Sequence, residues 1–413
     1  MKTKNFCVLT TFLACTQFMC AQIPVMETGG KEMPNQWIDK DTGHEIIKLT
    51  RRDGVNMSFY FHNNPFVDGK MIFVGGNRDN KKSDVTKQEI YNMRDNNLQM
   101  YDVDLKTFAI EQLTHEDFPM HSEIVCHKTK EIFYQKKDSV FSLNINTKHK
   151  KLICLLPADK NGGIVTVNMN ATLIAGTYSD PTEKDVYKNN PGKSSFEAIW
   201  AAKKLHTIFL IDVKTGKVSD LFSDHAWLNH LQFSPTDPNL LMFCHEGPWH
   251  KVDRIWTIDV VKKGEPRLIH KRTMDMEIAG HEWFGNDGKH IYFDLQKPRG
   301  ETFYVGKVDL KTYKEEDFEL TRNEWSIHFT TSWGKENILA GDGGDDSQVA
   351  HAKDGRWLYL FNIDGNKLKS TKLVNMKNHN YHLEPNVHFS PDNKWIIFRA
   401  NFEGYENVYA VKI

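Results

Sequence analysis

The densest run of chemically capable side chains is Phe243-Cys244-His245-Glu246-Gly247-Pro248-Trp249, with Asp253-Arg254-Ile255-Trp256 close behind. An imidazole titrates near neutrality, which suits His245 to taking a proton. A guanidinium grips a carboxylate through paired hydrogen bonds, so Arg254 either clamps an acidic ligand or orients Glu246. The plainer reading is structural, with His245 and Glu246 satisfying turn backbone and Trp249 filling core. A second run, Gly280-His281-Glu282-Trp283-Phe284, follows one repeat later. A third, His379 to Phe389, places His382, Glu384, Asn386 and His388 at alternate positions, which share one face if the segment is a strand. Imidazole, carboxylate and amide at that spacing suit a divalent ion, and a polar network lining a channel is the competing reading.

Smaller groups lie near the starts of other apolar segments: His62-Asn63-Asn64 with Arg78, His225, His230-Leu231-Gln232, and Trp325-Ser326-Ile327-His328. Asp342-Gly343-Gly344-Asp345-Asp346 is acidic and Gly-rich but lacks the full calcium-loop pattern and reads as a solvated turn. The zincin spacing, the nucleophile elbow, the phosphate loop, the dinucleotide fingerprint and paired cysteines are all absent from the sequence. Glu246 and Glu282 supply the two carboxyl groups that a hydrolase would need.

These residues require elements from distant parts of the chain to hold them together. Across 413 residues a single unit recurs: an Asp-Gly or Ser-Pro-Asp turn, an apolar strand, a second strand, and an Asp-x-Lys-Thr turn. Turns at Asp68-Gly69, Asp287-Gly288, Asp354-Gly355 and Ser390-Pro391-Asp392 mark it, and strands such as Met71–Val74 and Trp395–Phe398 follow them. The units begin near residues 62, 120, 162, 228, 280, 325 and 385. Their number and their length of roughly 45–65 residues predict an all-β, seven-bladed β-propeller over residues 41–413. The last unit lacks an outer strand, and residues 44–50 read as the missing one, so pairing of the N- and C-terminal strands closes the fold. Helical periodicity is nearly absent outside the first twenty residues.

Lys2 and Lys4 followed by the apolar run 6–18 and Ala21 read as an export signal over residues 1–21, with a lead-in segment at 22–40. Export implies a periplasmic protein. Bulky Gln17, Phe18 and Met19 before Cys20 argue against a lipid anchor there. The remaining Cys126, Cys154 and Cys244 form no metal or disulfide pattern. With 53 basic and 54 acidic residues, no global field exists for nucleic acid, and no transmembrane segment is expected in the mature chain.

The blocks 230–249, 253–256 and 280–284 resemble the oligogalacturonate lyase family, and the likeness spans most of the mature chain. The resemblance implies a seven-bladed propeller, a manganese-like divalent cofactor, and β-elimination on short uronic-acid oligosaccharides derived from pectin. It places a metal ligand on His281 and the base on His245. The family pattern near the C-terminus resembles His-Pro-His-Pro-x-Phe-Ser-Pro-Asp, where this chain has Glu384-Pro385-Asn386-Val387-His388-Phe389-Ser390-Pro391-Asp392. A carboxylate and an amide thus replace two imidazoles, and Ca2+ or Mg2+ joins Mn2+ as an expected ion. The combined expectation is His245 as base and Arg254 as carboxylate clamp. Metal ligands come from His281, His382, Glu384, Asn386 and His388, and substrate contacts from Glu246, Trp249, Trp283, His230 and Arg78. A non-catalytic sugar-binding propeller, or a lyase for another uronate glycan, is the alternative.

Overall fold

The computed structural model describes residues 22–76, 98–190, 192 and 194–413. The leader assigned to residues 1–21, and Arg78, lie outside them.

The repeating turns give the chain its rhythm. In Asp104-Leu105-Lys106-Thr107 the Asp104 carboxylate accepts hydrogen bonds from the Lys106 and Thr107 amides and the Thr107 hydroxyl. Asp309 repeats this with Lys311 and Thr312, Asp212 holds Thr215, and Asn144 holds Asn146 and Thr147. Four residues after each acceptor the backbone turns left-handed, at Phe108, Tyr313, Gly216 and Lys148. A side chain that satisfies local amides lets each hairpin reverse without leaving backbone donors unmet.

Between these turns, the described residues form six antiparallel four-stranded meanders in chain order and a last unit that joins three C-terminal strands to one from the N-terminal segment. The first comprises Val55–Met57, Lys70–Gly76, Gln99–Asp104 and Ile110–Gln112, with Phe66–Val67 also paired to its second strand. The fifth and sixth share one eight-stranded sheet through a single parallel bridge, Glu319 to Lys367. The architecture is all-β and propeller-like. First strands of neighbouring units pack together: His121–Cys126 on Asn161–Val167, that strand on Trp227–Phe233, and Phe329–Ser332 on His388–Phe389.

In the last unit, strand Glu45–Lys48 pairs with Asn407–Lys412 in the register Ile46 to Val411, Ile47 to Ala410 and Lys48 to Tyr409. The expected pairing of the chain ends is therefore present. It extends further than expected, because the segment read as a lead-in supplies two more strands, Val25–Met26 and Gln36–Asp39. Trp37 is fully buried there, edge-on to Phe402 and Tyr409 at 6.3 and 6.0 Å. This last sheet also meets the first unit: the Asn56 amide donates to the Glu406 carbonyl (3.1 Å) and the Phe61 amide to Asn386 Oδ1 (2.8 Å).

Two short helices, Glu183–Asn189 and Ser195–Ala202, interrupt the third unit. They went unread in the sequence because one or two turns show no usable period. No helix among the described residues is long and apolar enough to cross a membrane.

Candidate active site

One irregularity recurs where first strands approach one another. In the fourth unit Asn229 faces Cys244 and Gln232 faces Met242, so the first strand carries one extra residue. The fifth unit repeats this between Gly280, opposite Asp294, and Trp283, opposite Tyr292. These are β-bulges, which re-aim a side chain that regular pleating would send elsewhere. His230 and His281 occupy them with left-handed backbone, φ 47° and 46°. Such a conformation costs a non-glycine residue about 1–3 kcal/mol, and positions of this kind concentrate at functional sites. Gly280 serves the same point, since a Cβ there would meet Trp249 Cζ3 at 2.6 Å. Its absence lets the Trp249 ring stand edge-on to His281 at 5.0 Å.

Around these two histidines the units contribute one cluster. Tyr60 and His62 come from the first, and Tyr60 lies 5.0 Å from the His328 ring and 6.0 Å from His230. The fourth supplies His230, Glu246, Trp249 and Arg254; the fifth His281 and Glu282; the sixth His328 and Asp342; and Glu384 precedes the seventh. His281 and His328 stand 4.8 Å apart, ring centre to ring centre. A cleft lined by Ser58, Tyr60, Asn63, His121 and Glu123 opens beside Tyr60.

Arg254 is 1% exposed and bridges two buried carboxylates. Its Nη1 donates to Glu246 and its Nε to Glu282 at 2.8 Å, which leaves Nη2 without a hydrogen bond. Trp249 Nε1 donates to Glu246 (3.1 Å), and His230 Nε2 lies 3.5 Å from the same carboxyl group. Burial pushes the Glu246 carboxyl up, but Arg254 and His230 outweigh it and hold it below its usual range. Burial, with Arg254 second, holds His230 below 6.5, so the ring is neutral near pH 7. Burial and then the Glu384 carboxyl push the Tyr60 hydroxyl well above 10.

His328 is fully buried, and its Nδ1 bonds Asp342 at 2.8 Å. Its Nε2 has no hydrogen bond and points toward Glu384 Oε2, 3.9 Å away. A carboxylate behind one ring nitrogen and an open lone pair on the other is the arrangement of a metal-bound histidine. His328, His281 and Glu384 therefore fit a divalent ion in donor chemistry.

Of the residues singled out from sequence, His230, Glu246, Trp249, Arg254, His281 and Glu384 meet here. His245 does not. It lies on the opposite face of its strand from Cys244 and Glu246, stacked on Trp256 at 4.9 Å, with Nε2 3.8 Å from Asp224. Trp283 is 3% exposed and stacks on Tyr292 and Phe329, so it is core rather than a sugar platform. The expected alternation over 382–388 fails because only His388–Phe389 is strand. His382 is exposed, its amide bonded to Asn380. Asn386 spends its side chain on the Phe61 amide and the Glu384 carbonyl. His388 Nε2 donates to the carbonyls of Tyr60 (3.3 Å) and Asn63 (3.2 Å). Among the site-forming residues, Tyr60 went unread in the sequence, His328 was a minor candidate, and Asp342, read as part of a solvated turn, is fully buried against His328. The signal for His328 was its place at the start of a repeat, equivalent to His230 and His281.

A family model described as oligogalacturonate lyase matches residues 29–413. The chain is 24% identical over 396 residues to the oligogalacturonide lyase of Pectobacterium atrosepticum, covering 91% of this chain and 95% of that protein. The oligogalacturonate lyase of Dickeya dadantii matches equally, at 24% over the same shares. Among solved structures, an oligogalacturonate lyase in complex with manganese superposes with a TM-score of 0.74 at 21% identity, over 94% of this chain and 98% of that one. An oligogalacturonate lyase from Vibrio parahaemolyticus gives 0.73 at 21% identity, over 92% and 96%.

Proposed function

Because the chain belongs to the oligogalacturonate lyase family, we propose that it cleaves short uronic-acid oligosaccharides, oligogalacturonides first among them, by β-elimination. The reaction site is the cluster where first strands of neighbouring units approach one another.

One observation supports this most. Among the described residues, Glu246 and Glu282 hold the buried Arg254 guanidinium between them, Asp342 and Glu384 flank the two ring nitrogens of His328, and Arg399 turns to the carbonyls of Glu384 and Ser58. Two like charges 4 Å apart repel by about 4 kcal/mol in a partly screened site. An added cation beside His328 and Glu384 would offset that repulsion for an entering uronate carboxylate. His328, His281 and Glu384 would hold that ion, with Asp342 fixing the His328 ring. Manganese suits the imidazole nitrogens, and the carboxylate of Glu384 keeps Ca2+ and Mg2+ in range. When bound, the ion supplies Lewis-acid stabilisation of the negative charge that develops on the uronate carboxyl group.

His230 takes the proton from sugar C5. Its ring is neutral near pH 7 and its side chain is 21% exposed. Glu246 beside it stabilises the imidazolium that forms. The electron pair left at C5 forms the C4–C5 double bond, the C4–O bond breaks, and the departing oxygen takes up a proton. Trp249 packs against a sugar face. Arg254 keeps Glu246 ionised and holds both Glu246 and Glu282 in place. His245, the base expected from sequence, lies outside this scheme. The leader of residues 1–21 makes the activity an exported, periplasmic one.

The test is incubation with di- and trigalacturonate before and after chelation, following the ultraviolet absorbance of unsaturated uronate. Metal-dependent unsaturated product supports the reading. Saturated fragments would replace it with hydrolysis, and binding without turnover with a sugar-binding module.

A further inference from the structure

Asp287 and His290 flank the Asp-Gly turn of the fifth unit, and Glu336 stands on strand Lys335–Gly341 of the sixth. None belongs to the central cluster. Their donor atoms lie within 4.8 Å of one another. His290 is 7% exposed, and its Nδ1 has no hydrogen bond although it lies 3.6 Å from Asp287 Oδ2 and 3.3 Å from Glu336 Oε2. Asp287 Oδ2 is also buried without a donor, as is the hydroxyl of Tyr292, which feels both carboxyl groups. On the other side of the ring, Nε2 is 3.5 Å from Asp309 Oδ2, so both nitrogens face carboxyl groups and a neutral ring has a hydrogen for only one of them. A lone pair facing two carboxyl groups is repulsive unless positive charge lies between them. The Lys307 ammonium is 3.9 Å from Glu336 and as far from Glu316, beyond hydrogen-bond reach of either. Lys289 reaches Asp287 through its backbone amide (3.0 Å).

We propose that Asp287, His290 and Glu336 form a second cation site, separate from the central cluster, which takes a divalent ion of the zinc type and clasps the fifth unit to the sixth. A tetrahedral ion with bonds of about 2.0–2.1 Å sets its ligands about 3.3–3.4 Å apart. The separations of 3.3 and 3.6 Å at His290 approach that edge. One imidazole with two carboxylates suits a transition metal better than calcium. Asp309 stands behind the ring as the outer carboxylate that such histidines carry. The Glu336 side chain, 38% exposed, leaves an entry path and room for water in the fourth position.

The test uses the full chain, stripped with chelator, desalted, and titrated calorimetrically with zinc chloride, with bound zinc then counted by elemental analysis. Glu336→Gln, at a partly exposed position, is expected to bind one zinc fewer per chain than the wild type. Zinc should raise the wild-type Tm by several degrees more than that of the variant. His290→Gln should give the same deficit, and Asp287→Asn replaces it if that variant does not fold. Equal zinc counts and equal Tm increments in wild type and variants overturn the proposal. Neither readout depends on turnover, so the result stands whether or not the central cluster is a lyase site.

Discussion

Replacing Arg254 by methionine is the most informative single change at the centre. The side chain is 1% exposed, and Glu246 and Glu282, which it bridges, are 3% and 1% exposed. Methionine fills similar space but leaves both carboxylates buried without their cation. Breaking a buried ion pair from one side costs about 3–5 kcal/mol, and here one cation serves two anions, so the upper part of that range is expected. Urea unfolding followed by tryptophan fluorescence reads the loss as a lower midpoint with little change in slope. Adding Glu246→Gln and Glu282→Gln to the variant removes the stranded charges and should recover most of the loss. The deficit also depends on pH. The wild-type Glu246 carboxyl is held below 4.5, so its stabilisation is present above that value and is lost as pH falls through the folded-state value. Without Arg254 that contribution is gone, and the gap between wild type and variant should narrow in acid. A loss below about 1 kcal/mol, or no recovery in the triple variant, would refute the reasoning.

At the centre, His230→Ala should lower turnover of uronate oligomers by about 10²–10⁴-fold, while His245→Ala, on the far face of its strand, should change it by less than about tenfold; initial rates of unsaturated product decide between them. Burial holds His388 down to about 4 from 6.5, so between those values the unfolded chain binds a proton that the folded chain does not, and stability falls as pH drops. His388→Gln keeps a donor for the Tyr60 and Asn63 carbonyls and should flatten that dependence by about 1.4 kcal/mol per pH unit, measured by urea unfolding at several pH values. Trp37→Ala should cost about 3–5 kcal/mol, because a fully buried indole between Phe402 and Tyr409 leaves a cavity, and the midpoint of urea unfolding reports it.

The repeat was legible because each hairpin needs an acceptor and a left-handed residue at a fixed interval, and Asp-x-Lys-Thr writes that requirement directly into the chain. The pairing of residues 45–48 with 407–412 followed from counting strands in the last unit. Trp37 was harder to place, since Gln36–Asp39 is too short to show a period against polar neighbours. At the site, residue type was legible but facing was not. His245 and Glu246 are adjacent, so one of them must point away from the centre, and only the register of the fourth unit says which. The bulges at His230 and His281 break the alternation that a strand pattern relies on, and residues 382–387, with Asn386 left-handed at φ 52°, are not strand at all. His328 looked ordinary because its partners, Asp342 and Glu384, are 14 and 56 residues away along the chain. Asp287, His290 and Glu336 escaped notice for the same reason, two of them belonging to a turn motif that recurs throughout.

If an acidic sugar binds here through an added cation held by His328, His281 and Glu384, its affinity must depend on metal. Calorimetric titration of digalacturonate into the His230→Ala protein, stripped of metal and then reloaded with manganese, tests this without turnover. The account predicts that stripping weakens binding at least tenfold, and by linkage that digalacturonate tightens manganese binding by the same factor. Equal affinity for the sugar with and without metal would contradict it.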